Sequence, residues 1–374
     1  MRHRTLATRL ALLIGGGLIG LVCAELALRA LDAYSPASFH LLPPHSRLRD
    51  VQTGWDLFYE TNAQGWRDDE YEKAKPAGVL RVASIGDSFT FGQGCPRGTI
   101  FPDVLETLLN LAGEKTQVLN LSSPGVGPEG YFVLLEEALR YRPDVVVVSF
   151  YANDATGPPT PWLNGAVRDL SHRFRLFVLA RDLRRRIASP PTVTRDDLRW
   201  SGVPPPPPEF QRLYGEPHTN LVAACLTDPE QVARWSDVRE GKGWDELARY
   251  AGLMARACRG AGCRLVFAVV PDGAQVDPHQ WEIRRQLGVK VSPTAMMDSG
   301  LQALVRDLAR REGAEFFDPL EDFKRFRAGL YFPLDLHWTP AGHRLYAEAL
   351  ARYLARTPGP ARTPGSAPPP PPAR

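Results

Sequence analysis

The stretch LRVASIGDSFTFGQG, residues 80–94, decides how this chain is read. Its first six residues, LRVASI, are a short apolar run of the kind that makes a buried strand. Gly86, Asp87 and Ser88 follow at once. Downstream, residues 101–113 (FPDVLETLLNLAG) put Phe101, Val104, Leu105, Leu108 and Leu109 on one helical face. Residues 116–121 (TQVLNL) read as a second strand. Residues 129–142 read as a helix stopped before Pro143, and DVVVVSF at 144–150 as a third strand. The rhythm resumes with a helix at 244–262, a strand at 263–270, a helix near 299–313, a short strand at 314–319 and a last helix at 341–356. Strands alternating with helices predict an α/β domain over 80–356, with a parallel, doubly wound sheet covered by helices on both faces.

Four segments flank this domain or interrupt it. Residues 1–32 begin with Arg2, His3, Arg4 and Arg9 around an apolar run, LALLIGGGLIGLVCA at 10–24. That run is short for a span of ~30 Å of hydrocarbon, but ELALRALDAY continues it at helical spacing. A signal-anchor with the basic end inside and a cleaved signal peptide both fit, and the anchor is favoured. Val22 before Cys23 argues against a lipoprotein signal. Residues 33–79 read as a linker and lead-in, with TNAQGWRDDEY (61–71) carrying aromatic and turn residues suited to packing. Residues 157–243 break the rhythm with two prolines at 158–159, RDLRRR at 181–186 and five prolines at 204–208. They read as an insertion or cap over the sheet, placed to set substrate choice. The tail 357–374 is rich in proline, glycine, serine and alanine and reads as disordered.

Composition narrows the function classes. In 374 residues, 45 basic side chains against 42 acidic ones give a net charge of +3, which offers no reason to expect nucleic acid. The five cysteines have no CxxC pair and no zinc-finger spacing. Cys258 and Cys263 lie close enough in sequence to pair; buried free thiols are the alternative. His337 and His343 are not at HExxH spacing, so no metal and no cofactor is expected.

In a doubly wound sheet, ligands bind outside the carboxyl ends of the strands. Four segments carrying chemistry fall there. Ser88 follows the first strand. Gly125 follows the second, in SSPGVG. Asn153 follows the third, in YANDA. Asp335 and His337 precede the last helix, in DLHWTPAGH. A serine hydroxyl needs a base to remove its proton, histidine can do so near neutrality, and a carboxylate fixes the histidine tautomer. Backbone N–H groups and an asparagine amide suit an oxyanion. Each residue also has a plainer use: Ser88 as a helix cap, Gly125 as a tight turn, Asn153 as a cap, Asp335 with His337 as a surface pair. Their occurrence in order, each after its own strand, favours catalysis. Asp154 reads as a loop or capping residue and Asp272 has no assigned role. His343, near the start of the last helix, competes with His337 for the role of base and reads as structural.

At these residues the chain resembles the SGNH (GDSL-type) hydrolases. IGDSFTFGQG resembles their first block, Gly125 the glycine of the second, Asn153 the asparagine of the third, and DLHWTPAGH the last. The likeness covers roughly residues 56–156 and 244–356. It implies a flavodoxin-like three-layer sandwich, with Ser88 as nucleophile and backbone oxyanion donor. Gly125 and Asn153 would complete the oxyanion hole, His337 would be the base and Asp335 its partner. Many members place the aspartate three residues before the histidine; here it is two. The implied function is hydrolysis of a carboxylic ester, on a small-molecule or carbohydrate substrate outside the cytoplasm. Acyl transfer to a sugar hydroxyl by the same site is the alternative, and a non-catalytic anchored binding protein the second.

Overall fold

The run at 145–150 is buried at every residue, as a central strand covered on both faces requires. The computed structural model describes residues 2–31, 35, 37, 40–157, 174–188, 202–290 and 300–356. Near the start, β1 (Arg47–Gln52) pairs antiparallel with β2 (Trp55–Glu60). The main sheet is built from β3 (Leu80–Gly86), β4 (Thr116–Ser122), β5 (Val145–Phe150), β6 (Arg264–Val269) and β7 (Glu315–Phe317). Its order is β4-β3-β5-β6-β7, and every pairing is parallel. Counted from β3, this is the order 2-1-3-4-5 of flavodoxin-like folds, with its switch point between β3 and β5.

The helices divide between the two faces. Phe101–Leu111 packs against Pro340–Arg356, and Lys242–Ala261 packs against both Pro128–Leu139 and Gly300–Glu312. Right-handed crossovers place these two groups on opposite faces, because the chain moves one way from β3 to β4 and the other way thereafter. Sequence explains the individual helices. Phe101–Leu111 carries Pro102 in its first turn and buries Phe101, Leu105 and Leu109. Lys242–Ala261 stops where Gly262 turns left-handed and its N–H returns to the Arg259 carbonyl. Valines 146, 147 and 148 are fully buried between the two layers, at about 1.5–3 kcal/mol each.

The lead-in is more structured than a linker. Beyond the β1–β2 hairpin, Trp66 and Arg67 are buried. The Arg67 guanidinium donates to the carbonyls of Phe91 (2.9 Å), Gly92 (2.8 Å) and Cys95 (2.5 Å), and burial pushes its pKa down to about 10. It clamps the segment that follows Ser88.

Helix Arg2–Ala30 contains one stretch, Ala11–Ala30, long and apolar enough to cross a membrane. Near its end, Glu25 accepts from the N–H groups of Arg175 (3.1 Å) and Leu176 (3.0 Å), and so caps the helix Arg175–Ala188. RDLRRR lies within that helix. In the insertion, the proline run continues into the helix Pro208–Tyr214, and Asn220–Thr227 and Pro229–Ser236 follow. Positions 158–173 and 189–201 of the insertion, and the tail 357–374, lie outside the described residues. Cys95, Cys225, Cys258 and Cys263 are free thiols, with no disulfide between Cys258 and Cys263.

Candidate active site

Ser88 stands where β3 ends and the chain turns sharply into the short helix Ser88–Phe91. Asp87 is the cap of that helix: its Oδ1 accepts from the Phe89 N–H at 3.0 Å. Capping therefore falls to Asp87 and leaves the Ser88 hydroxyl for another partner. The turn demands glycine at 86, since a Cβ there would overlap the Thr90 side chain. Arg67 holds the far end of the turn through the Phe91 and Gly92 carbonyls.

That partner is His337, whose Nε2 lies 2.7 Å from Ser88 Oγ. Its other ring nitrogen, Nδ1, lies 2.5 Å from Asp335 Oδ1. The same oxygen accepts from the His337 backbone N–H at 3.0 Å. The two-residue spacing of Asp335 and His337 thus lets one carboxylate oxygen grip both the ring and the main chain of the histidine. Gln280 steadies this loop by donating to the carbonyls of Phe332 (2.7 Å) and Asp335 (3.0 Å). Relative exposure falls from 9% at Ser88 to 3% at His337 and 0% at Asp335. Burial thus deepens along the path from the serine to the carboxylate. Burial pushes the Asp335 carboxyl up in pKa, but the His337 charge and the hydrogen bonds from His337 and Leu221 outweigh it, and the net direction is down.

Aromatic rings wall the dyad. Phe89 lies 5.1 Å from the His337 ring, and Trp55 meets that ring edge-on at 6.5 Å. Trp55 comes from the β1–β2 hairpin and packs on Phe332 at 4.8 Å. Its indole N–H is spent on Asp50 (2.9 Å), as is the Tyr59 hydroxyl (2.8 Å).

The other expected residues follow the strands that neighbour β3. Gly125 follows β4 and Asn153 follows β5, the two strands on either side of β3. Gly125 has φ +77°, a left-handed conformation that favours glycine. Asn153 lies in the short helix Ala152–Thr156. Beside it, Asp154 accepts from the Tyr151 N–H (2.9 Å) and the Tyr131 hydroxyl (3.0 Å). Burial, then the charge of Asp87, push Asp154 well above the carboxylate range. Asp87 is itself raised by burial, against the Phe89 N–H, the His337 charge and the Asn153 amide.

His343 is the fourth residue of the last helix, Pro340–Arg356. Its Nδ1 accepts from the Phe101 N–H at 3.2 Å, and burial, with the nearby positive groups Arg67 and His337, drives its pKa down to about 3. It serves as a neutral packing and acceptor group between two helices. Asp272 forms a buried pair with Arg284 and accepts from the Tyr151 hydroxyl.

Sequence reasoning did not find Trp55, Gln280 or the role of the 219–221 segment, whose N–H groups meet Asp335. The pattern TNL at 219–221 carries a helix-start signal, but nothing local announces what that helix end faces.

Residues 84–345 match the model of the GDSL-like lipase/acylhydrolase family. No curated protein matches the sequence. Among solved structures, TesA is 13% identical, with 74% of this chain and 99% of that one covered at a TM-score of 0.40. The acetyl xylan esterase AlAXEase is also 13% identical, with 74% and 100% covered at 0.41. A catalytic mutant of Axe2, an acetylxylan esterase from Geobacillus stearothermophilus, is 14% identical, with 73% and 93% covered at 0.39. The family match extends from β3 into the last helix and takes in both Ser88 and His337: the chain belongs to the GDSL-like lipase/acylhydrolase family of ester hydrolases.

Proposed function

We propose that the protein hydrolyses a carboxylic ester through an acyl-serine intermediate. The observation that carries this reading is the continuous path from Ser88 Oγ to His337 Nε2 (2.7 Å) and from His337 Nδ1 to Asp335 Oδ1 (2.5 Å). His337 takes the hydroxyl proton as Ser88 Oγ attacks the ester carbonyl, then gives it to the departing alkoxide. Asp335 keeps the Nδ1 proton in place and stabilises the imidazolium. Water, activated by the same histidine, then releases the acid and restores the serine.

The oxyanion falls to the N–H groups of Ser88 and Gly125 and the amide of Asn153, which come from three adjacent strand ends. Asn153→Ala is expected to lower kcat by about 100- to 1,000-fold while KM changes little. Steady-state hydrolysis of p-nitrophenyl acetate measures both. A fall in KM-related affinity alone would remove Asn153 from this role.

The acyl group this reading assigns is a short one, acetyl foremost. The apolar stretch Ala11–Ala30, preceded by Arg2, Arg4 and Arg9, supports an anchor with the catalytic domain outside the cytoplasm. An acylated carbohydrate is a substrate suited to that place. The test is product analysis with the full chain in detergent, using an acetylated sugar with and without a second sugar as acceptor. Release of free acetate in both is expected. Transfer to the acceptor without free acetate would replace hydrolysis by acyl transfer.

A further inference from the structure

Asp335 lies in the loop before the last helix, yet part of its hold comes from the insertion. Its Oδ1 is engaged by His337. Its Oδ2 faces the first turn of the helix Asn220–Thr227, 2.9 Å from the Asn220 N–H and 3.4 Å from the Leu221 N–H. A helix leaves its first N–H groups without partners inside the helix, and its dipole favours an anion there. We propose that residues 219–221 of the insertion are a positioning element of the active site, holding the Asp335 carboxylate in line with His337 Nδ1. This inference rests on the Ser88–His337–Asp335 reading given above.

The helix end is itself locked in place. Thr219 is fully buried and caps the helix: its Oγ1 accepts from the Val222 N–H at 3.2 Å. The same hydroxyl donates to the carbonyl of Leu334, the residue before Asp335. On the other side, the turn of the β1–β2 hairpin grips the segment twice. The Thr53 N–H donates to the His218 carbonyl and the His218 N–H to Thr53 Oγ1, both at 3.0 Å. Gln52 Oε1 shares the Asn220 N–H at 3.2 Å. Lead-in, insertion and catalytic loop thus meet at one carboxylate. The insertion acts on the chemical step and not only on the choice of substrate.

Asn220 offers one test because it is the first residue of its helix. Proline is accepted at that position, and Thr219 before it is already extended, at φ −136° and ψ 159°. Asn220→Pro keeps the helix start but replaces the N–H donor by the ring Cδ, which faces Asp335 Oδ2 across the former 2.9 Å contact and displaces the carboxylate. Its loss of kcat is therefore read together with that of Thr219→Ala, which brings no such clash. Asn220→Ala, which keeps the N–H, is the reference. Both are made in the full chain and assayed on p-nitrophenyl acetate beside Ser88→Ala. A lost hydrogen bond to a charged group is expected to lower kcat of the proline variant about tenfold relative to the alanine variant, with KM within about twofold and a melting temperature lowered by a few degrees but still well above that of the assay. Thr219→Ala is expected to lower kcat in the same way, and Thr219→Ser to restore it. Equal kcat for Asn220→Pro and Asn220→Ala, with Ser88→Ala inactive, overturns the positioning role. A change confined to KM does the same. Should the proline variant not fold, the Thr219 pair decides: wild-type kcat in Thr219→Ala overturns the proposal. Full activity in Ser88→Ala would instead remove the serine mechanism beneath it.

Discussion

Ser88→Ala is expected to reduce hydrolysis of p-nitrophenyl acetate to the solution background, a loss in kcat on the order of 10⁴- to 10⁶-fold. The reason is local. The hydroxyl at the end of β3 lies 2.7 Å from Nε2 of the His337 ring. Asp87 already caps the helix that Ser88 begins, so removal of the hydroxyl leaves the turn intact. The variant should fold and melt like the wild type. Retained activity with an unchanged fold would place the nucleophile elsewhere.

Asp335→Asn is expected to cost about 10⁴-fold in kcat through a different physical route. The asparagine fills the same space, but its amide turns an N–H toward one of two sides that both need an acceptor. If that N–H faces His337, the ring flips tautomer: Nδ1 accepts, Nε2 carries the proton, and the Ser88 hydroxyl loses its base. If it faces the insertion, it meets the Asn220 and Leu221 N–H groups. Either way a buried donor loses its partner, at about 1–3 kcal/mol of stability. The pH dependence of that stability difference has a definite sign. The folded-state pKa of Asp335 lies below the ordinary 3.8. Its ionised form therefore stabilises the fold above pH ~4, and that contribution disappears as the pH falls through the folded value. Thermal melts of the two proteins should differ most near neutrality and converge in acid. A gap that widens on acidification would contradict the assignment of Asp335 as a stabilised carboxylate.

Much of this was legible in the sequence, for identifiable reasons. The runs at 80–85, 116–121 and 144–150 carry apolar residues at successive positions and not only at alternate ones, because parallel strands are covered on both faces, and the structure places a strand at each. Ser88, Asp335 and His337 were visible because each sits beside a strand end or helix start that the pattern marks. The lead-in was harder. In the hairpin, RLRDVQ and WDLFYE alternate burial unevenly and carry charge, so the strand signal is weak. Arg67 is fully buried through bonds to carbonyls 24 to 28 residues away, which no local rule foresees. The same holds for Thr219 and Asn220. Sequence marks the helix end, while the 115-residue separation from Asp335 is closed only by the fold.

The most direct test of the central claim is covalent. The full chain is treated with diethyl p-nitrophenyl phosphate, which phosphorylates an activated serine, and then digested and mapped by mass spectrometry. A single diethylphosphoryl group on the peptide containing Ser88, formed in step with loss of p-nitrophenyl acetate hydrolysis and absent in His337→Ala, is the predicted result. Complete inactivation with the label on another residue, or undiminished hydrolysis after Ser88 is fully labelled, would contradict the account.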